Sequence, residues 1–241
     1  MNLLIEYFKS QNTSRDQEYI FCIKQNISNP LIEKIHVFIS DESILNENSE
    51  KLQIVKLDKR PTFYDLMEYC NLNLEGQKCI IGNTDIIFDD SIGNLKEFEF
   101  ENQFIALTRW DLYQKENNWY INYYHNLWWN PSKDGSLNEN ESIFTSEFSQ
   151  DSWIFSSPIK LDDRAKFMMG KPGCDNRISQ LMHENGYNVI NPSRLIKTLH
   201  FHQTNYRTYN NNTDMVLGPY LLIKPTDNLR EKPLLRSIPH F

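Results

Sequence analysis

Apolar and polar positions alternate in blocks along the first half of the chain. Residues 3–8 form a short apolar run read as a strand, and residues 35–40 and 52–57 predict a second and a third. Between the first two, Ile20, Ile23 and Ile27 recur at helical spacing. Ser14-Arg15-Asp16-Gln17 has a capping-box pattern that opens this helix, and Asn29-Pro30 stops it. A second helix is predicted where Thr62 and Asp65 are placed to cap it and Phe63, Leu66, Met67 and Cys70 share a buried face. Lys78-Cys79-Ile80-Ile81 reads as a buried strand that leaves through Gly82-Asn83-Thr84-Asp85, and residues 103–109 read as another. Strand, helix, strand, strand, helix, strand predicts an α/β domain with a mainly parallel central sheet flanked by helices.

Beyond Arg109 the pattern changes. Residues 112–148 are rich in Asn, Tyr and Trp and show no sustained period, with loop signals at Asn130-Pro131 and Asp134-Gly135. The aromatics of this insertion (Trp119, Tyr120, Tyr123, Tyr124, Trp128 and Trp129) argue against simple disorder. Residues 152–155 predict a short strand, preceded by Ser149-Gln150-Asp151. A helix begins near Gly173-Cys174-Asp175-Asn176, with Ile178, Leu181 and Met182 on one face and Gly186 as its C-terminal cap. Residues 187–190 read as a strand, Asn191-Pro192-Ser193 as a turn, and 195–201 as an extended piece ending in His200-Phe201-His202. From residue 210, asparagine repeats and prolines predict a tail that wraps the surface, so one domain is expected over 1–209 and a tail over 210–241.

Composition narrows the class. With 241 residues, 39% hydrophobic and 24% charged, the chain suits one soluble domain. No apolar run approaches the roughly 20 residues of a membrane-spanning helix, and the start lacks a basic segment followed by a long apolar one, which predicts a cytoplasmic protein. The formal net charge of -7 argues against non-specific nucleic-acid binding. Lys224, Arg230, Lys232 and Arg236 in the tail allow at most weak peripheral contact with an anionic membrane. Cys22, Cys70, Cys79 and Cys174 lie far apart without a CxxC pair and read as reduced core thiols.

Acidic and amide side chains at a strand exit change the picture most. In an open α/β sheet, ligands bind beyond the carboxyl ends of the strands, and Asn83-Thr84-Asp85 can offer oxygen there to a divalent cation. The same residue types also make tight turns. Asp89 and Asp90 just beyond them read as turn or capping residues.

The order of these features resembles the nucleotide-sugar glycosyltransferases of the GT-A fold, especially their family 2-like group. Asn83-Thr84-Asp85 stands where that family has a metal-binding DxD-type motif, and Gly173-Cys174-Asp175-Asn176 where it has an xED-type motif. Gly186-Tyr187-Asn188-Val189-Ile190-Asn191-Pro192 and His200-Phe201-His202 follow in family order, and the resemblance spans roughly residues 3 to 209. Two departures stand out: Asn83 replaces the first DxD carboxylate, and Asp175-Asn176 replaces the expected Glu-Asp.

The resemblance implies a metal-dependent transfer of sugar from a UDP-, GDP- or CDP-linked donor to a glycan, lipid-linked or polysaccharide acceptor. Mn²⁺ or Mg²⁺ would be held by Asp85 and Asn83, completed by His200 or His202. Of those two histidines, one is expected to face the crevice. Inversion at the sugar would use Asp175 as the base, with Asp151 in reserve; an Asp opening a helix also reads as an ordinary cap. Asp41 at the second strand exit matches the nucleoside position, Arg60 and Arg207 are phosphate candidates, and Arg15 and Arg109 are weaker ones. Trp110 and Asn176 are placed for the acceptor. Two other readings are a catalytically silent carbohydrate-binding or scaffold domain, favoured by the two departures, and a metal-dependent phosphohydrolase using Asp85 and the histidines.

Overall fold

Both faces of the first strand, β1 (Asn2–Glu6), are apolar, with Leu4 on one side and Leu3 and Ile5 on the other. A strand of that kind is stable only in the middle of a sheet covered on both sides. In the computed structural model it is the third strand of a seven-stranded sheet. The structure describes residues 1–123, 149–204, 206–207, 209–210, 213–230 and 234–239.

Chain order runs β1, α1 (Thr13–Ser28), β2 (Lys34–Ile39), β3 (Leu52–Lys56), α2 (Phe63–Asn73), β4 (Lys78–Gly82) and β5 (Ile86–Phe88). It continues with β6 (Gln103–Thr108), β7 (Trp110–Lys115), β8 (Asn118–Tyr123), β9 (Gln150–Ser156), α3 (Cys174–Glu184), β10 (Asn188–Ile190), β11 (Thr198–Phe201), β12 (Tyr220–Ile223) and β13 (Leu235–Ile238). The large sheet has the order β3-β2-β1-β4-β9-β6-β10, parallel except for β9, which runs antiparallel to both neighbours. It is an α/β fold with a mainly parallel central sheet flanked by helices. On one face Phe38, Ile81, Trp153, Phe155 and Phe104 meet Phe63, Leu66 and Met67 of α2 and Ile178, Leu181 and Met182 of α3. On the other, Ile5, Val37, Ile80, Ile105 and Ile154 meet Ile23 of α1 and Ile92 and Leu95 of a 3₁₀ turn.

Two local signals operate as the sequence predicts. Thr62 and Asp65 form a reciprocal capping box on α2: the Asp65 amide donates to Thr62 Oγ1 at 3.2 Å, and the Thr62 amide donates to Asp65 Oδ2 at 2.8 Å. Asp89 caps the 3₁₀ turn by accepting from the Ser91 amide at 2.9 Å. The four cysteines are buried and free.

Other elements differ from expectation. The N-cap of α1 is Asn12, not Ser14: its Oδ1 accepts from the Arg15 amide at 3.1 Å, so the helix opens just before the capping-box pattern suggested. Residues expected to be aperiodic after Arg109 form the hairpin β7–β8, the outer part of a four-stranded sheet of order β5-β11-β7-β8. Tyr124, Trp128, Trp129 and the loop signals at 130–135 lie outside the described residues. The tail does not only wrap the surface. The four side chains of β12 are buried, and Leu221 and Ile223 join the core on the α2 and α3 side.

Candidate functional site

β1, β4 and β6 all end at one edge of the large sheet, and the antiparallel β9 begins there. Pairing of Gly82 with Ser152 and of Thr108 with Gln150 therefore sets Asp151 between Asn83 and Arg109. Asn83 Nδ2 donates to Asp151 Oδ1 at 2.7 Å, and Arg109 Nη1 donates to Asp151 Oδ2 at 2.9 Å. Arg109 also reaches Asp111 Oδ1 with its Nε at 3.2 Å.

Asn83, Thr84 and Asp85 form the turn from β4 into β5, closed by the Ile86 amide donating to the Asn83 carbonyl at 3.2 Å. Thr84 Oγ1 donates to the Glu6 carbonyl, tying the turn to the end of β1. Asp85 is thus held with its carboxylate inward, 7% exposed. The small sheet brings the histidines to it. His200 pairs with Ile86 and with Asp111 across β11, and the Phe201 amide donates to the Asp85 carbonyl at 2.9 Å. His200 Nε2 lies 3.2 Å from Asp85 Oδ2, and its Nδ1 lies 3.0 Å from Asp111 Oδ1.

His202 Nδ1 also comes within 3.9 Å of Asp85 Oδ2. One inward histidine was expected, but residues two apart in an extended segment project to the same side, and both rings face Asp85. Ligand atoms of Asp85, His200 and His202 lie within 4.8 Å of one another. Among the described residues, the buried His202 Nε2 has no hydrogen-bond partner. Asn83 directs its side-chain Nδ2 to Asp151.

Sequence reasoning gave Arg15 little weight and Glu18 none. Both are buried on α1: Arg15 Nη1 donates to Glu18 Oε2 at 2.7 Å, and Arg15 Nη2 donates to Asp85. Their spacing of three residues on a helix was visible, but the partner of Arg15 is 70 residues away in sequence.

These neighbours set the protonation states. Burial opposes the charge on Asp85, yet His200 and Arg15 outweigh it and hold its pKa well below the carboxylate range. Burial and Arg109 pull His200 down, but Asp85 and Asp111 raise it above its ordinary value. For His202, burial first and the Arg15 charge second lower the pKa to about 3, so its ring is neutral at neutral pH.

Asp175 sits on the other flank. The N-cap of α3 is Gly173 at φ 78°, so Asp175 is not the cap but the second helical residue. A Cβ on residue 173 would fall 2.9 Å from Tyr220 Oη, so the start of α3 requires glycine for space as well as for backbone. Asp175 Oδ2 accepts from the Gln150 amide at 3.2 Å. Burial, followed by the nearby Asp151 charge, pushes its pKa up to about 7.

The remaining candidates are dispersed. Asp41 is exposed and accepts from the Ser43 amide at 2.9 Å. Arg60 grips Glu6 through Nε and Nη2, each at 2.7 Å, at the crevice end of β1. Arg207 Nη1 donates to Tyr209 Oη beyond the small sheet. Asn176 is buried, its Nδ2 donating to the Leu221 carbonyl at 2.9 Å and to Gln150 Oε1 at 3.2 Å. Trp110 Nε1 donates to the Ser193 carbonyl at 2.7 Å, and Lys197 Nζ stands 5.1 Å from its ring centre. Trp119 stacks on Phe21 of α1 at 5.6 Å, while Tyr113 and Tyr120 stack on each other at 5.3 Å.

No family model matches the sequence, and no curated protein matches it. Among solved structures the chain is similar to a Bacillus anthracis protein described as a glucose-1-phosphate thymidylyltransferase, in complex with sucrose. That match has 11% identity and a TM-score of 0.42, and covers 83% of this chain and 85% of that one. It is similar to GalNAc-T7 with UDP, GalNAc and Mn²⁺ at 6% identity and a TM-score of 0.47, over 85% of this chain and 43% of that one. The galactosyltransferase LgtC, in complex with donor and acceptor sugar analogs, matches at 14% identity and a TM-score of 0.31, over 44% and 46%. The chain thus spans less than half the length of the last two. Likenesses at this level leave function to be argued from the side chains. No described helix is long and apolar enough to cross a membrane.

Proposed function

We propose that the chain is a glycosyltransferase of the GT-A fold, family 2-like, moving a sugar from a UDP-, GDP- or CDP-linked donor to a glycan, lipid-linked or polysaccharide acceptor. One observation carries this reading: Asp85, His200 and His202 converge at the carboxyl edge of the sheet, in the crevice where an α/β fold binds ligands. The donor set fits a divalent cation, since one carboxylate and two imidazoles meet and the neutral His202 brings Nδ1 within 3.9 Å of Asp85 Oδ2. Imidazole ligands favour Mn²⁺ over Mg²⁺. Bound there, the cation would supply Lewis-acid stabilisation of the leaving diphosphate.

The chain's own residues supply the rest. Asp175, with its pKa near 7, is suited to take a proton from the acceptor hydroxyl, and inversion at the sugar follows from that role. Asp151 is the reserve base, although Asn83 and Arg109 already engage both of its oxygens. Asp41 would meet the nucleoside, Arg60 and Arg207 the phosphates, and Trp110 and Asn176 the acceptor; Asn83 acts in this reading through Asp151. Incubation with UDP-, GDP- and CDP-sugars and Mn²⁺ tests the proposal by release of nucleoside diphosphate above background. A second reading, a catalytically silent domain, draws on the pairing of Asp85 with Arg15, which already balances the carboxylate. Absence of release from every donor would favour it.

A further inference from the structure

Glu18 is a buried carboxylate, and a buried charge is tolerated only where hydrogen bonds replace water. Its Oε1 accepts from the backbone amides of Gln203 at 2.9 Å and Thr204 at 2.8 Å. Its Oε2 accepts from Thr204 Oγ1 at 3.1 Å and from Arg15 Nη1 at 2.7 Å. Those two amides follow His202 directly, where the chain has left β11 and no ladder partner fixes it. One face of α1 therefore grips both halves of the cation site. Arg15 holds the Asp85 carboxylate, and Glu18 holds the backbone that presents His202.

We propose that Glu18 is a positioning residue: its clamp on residues 203 and 204 keeps the His202 ring, 9% exposed, against Asp85, and so completes the donor set. The inference rests on the cation reading of that site. A glutamate that only packs a loop would stabilise the fold without any particular link to His202. A positioning glutamate acts through that ring and loses its effect once the ring is gone.

The test is Mn²⁺ binding by the full chain, followed by calorimetry or by electron spin resonance of the free ion. Wild type, Glu18→Ala, His202→Ala and the double variant are compared, with melting curves to confirm folding. Changing a residue that orients a metal ligand weakens metal affinity by roughly 10- to 100-fold. Glu18→Ala is expected to fall in that range, and the double variant to bind no more weakly than His202→Ala alone. Glu18→Gln keeps the volume and one oxygen for the amides, so it gives a smaller loss and serves if the alanine variant does not fold. Wild-type affinity in both Glu18 variants, or losses that add in the double variant, would overturn the inference while leaving the cation site standing. A wild-type chain that binds no Mn²⁺ would overturn both.

Discussion

Asp175 shows how one environment ties stability to chemistry. Its folded pKa of about 7 lies above the ordinary 3.8, so the folded chain binds the proton more tightly than the unfolded one. The stabilisation from the protonated form is complete below pH 3.8 and is lost as pH rises through about 7. Base catalysis needs the opposite state. Transfer activity is therefore expected to rise with pH through about 7, while denaturant titrations across the same range show a loss of stability that Asp175→Asn removes. In that variant activity falls by roughly 10²- to 10⁴-fold, the usual contribution of a positioned base, and its pH step disappears. An unchanged pH profile in Asp175→Asn would assign the proton transfer elsewhere. Arg15 marks the limit of sequence reading at this scale. Its charge was visible, but its partner Asp85 lies on a different element and is reached only after β4 is laid beside β1.

Elements were legible where their side chains were uniform. The apolar runs of β1, β2, β4 and β6 mark strands buried on both faces, and the Thr62–Asp65 pair marks the start of α2. The hairpin β7–β8 was not legible. Its turn residues, Glu116 and Asn117, have φ of 49° and 65°, the backbone of a type I′ turn without the Asn-Gly or Asp-Gly pair that usually signals it. The strands beside that turn mix Trp, Asp, Tyr, Gln and Lys, because the small sheet buries Leu112 on one face while Asp111 meets His200 on the other. At the start of α3, Gly173→Ala forces a side chain into a left-handed backbone and against Tyr220. The variant is expected to lose more than about 1 kcal/mol in urea denaturation. It should also lower transfer activity, since Asp175 lies two residues on. Wild-type stability would show that α3 can start without the left-handed turn.

At the scale of the molecule, the seven-stranded sheet brings the ends of β1, β4 and β6 and the start of β9 to one edge, and the small sheet with the residues just beyond β11 brings His200 and His202 to it. The tail closes the same core. Asn176 Nδ2 donates to the Leu221 carbonyl and Asn191 Nδ2 to the Ile223 carbonyl, so β12 is bonded to both α3 and the turn after β10. Its buried side chains contribute about 1.5–3 kcal/mol each, against a total stability of about 5–15 kcal/mol for a typical domain. A chain ending at residue 209 is therefore expected to lack a cooperative melt by circular dichroism; a wild-type melting curve would contradict this. The central claim concerns the edge itself: Asp85, with the two histidines, holds a divalent cation that anchors a nucleoside diphosphate. Isothermal titration with UDP, GDP and CDP, with and without Mn²⁺, measures this directly on wild type and Asp85→Ala. The account predicts that at least one diphosphate binds only with Mn²⁺ and that Asp85→Ala abolishes the binding. Failure of all three to bind, or equal affinity in the variant or without the metal, would contradict it.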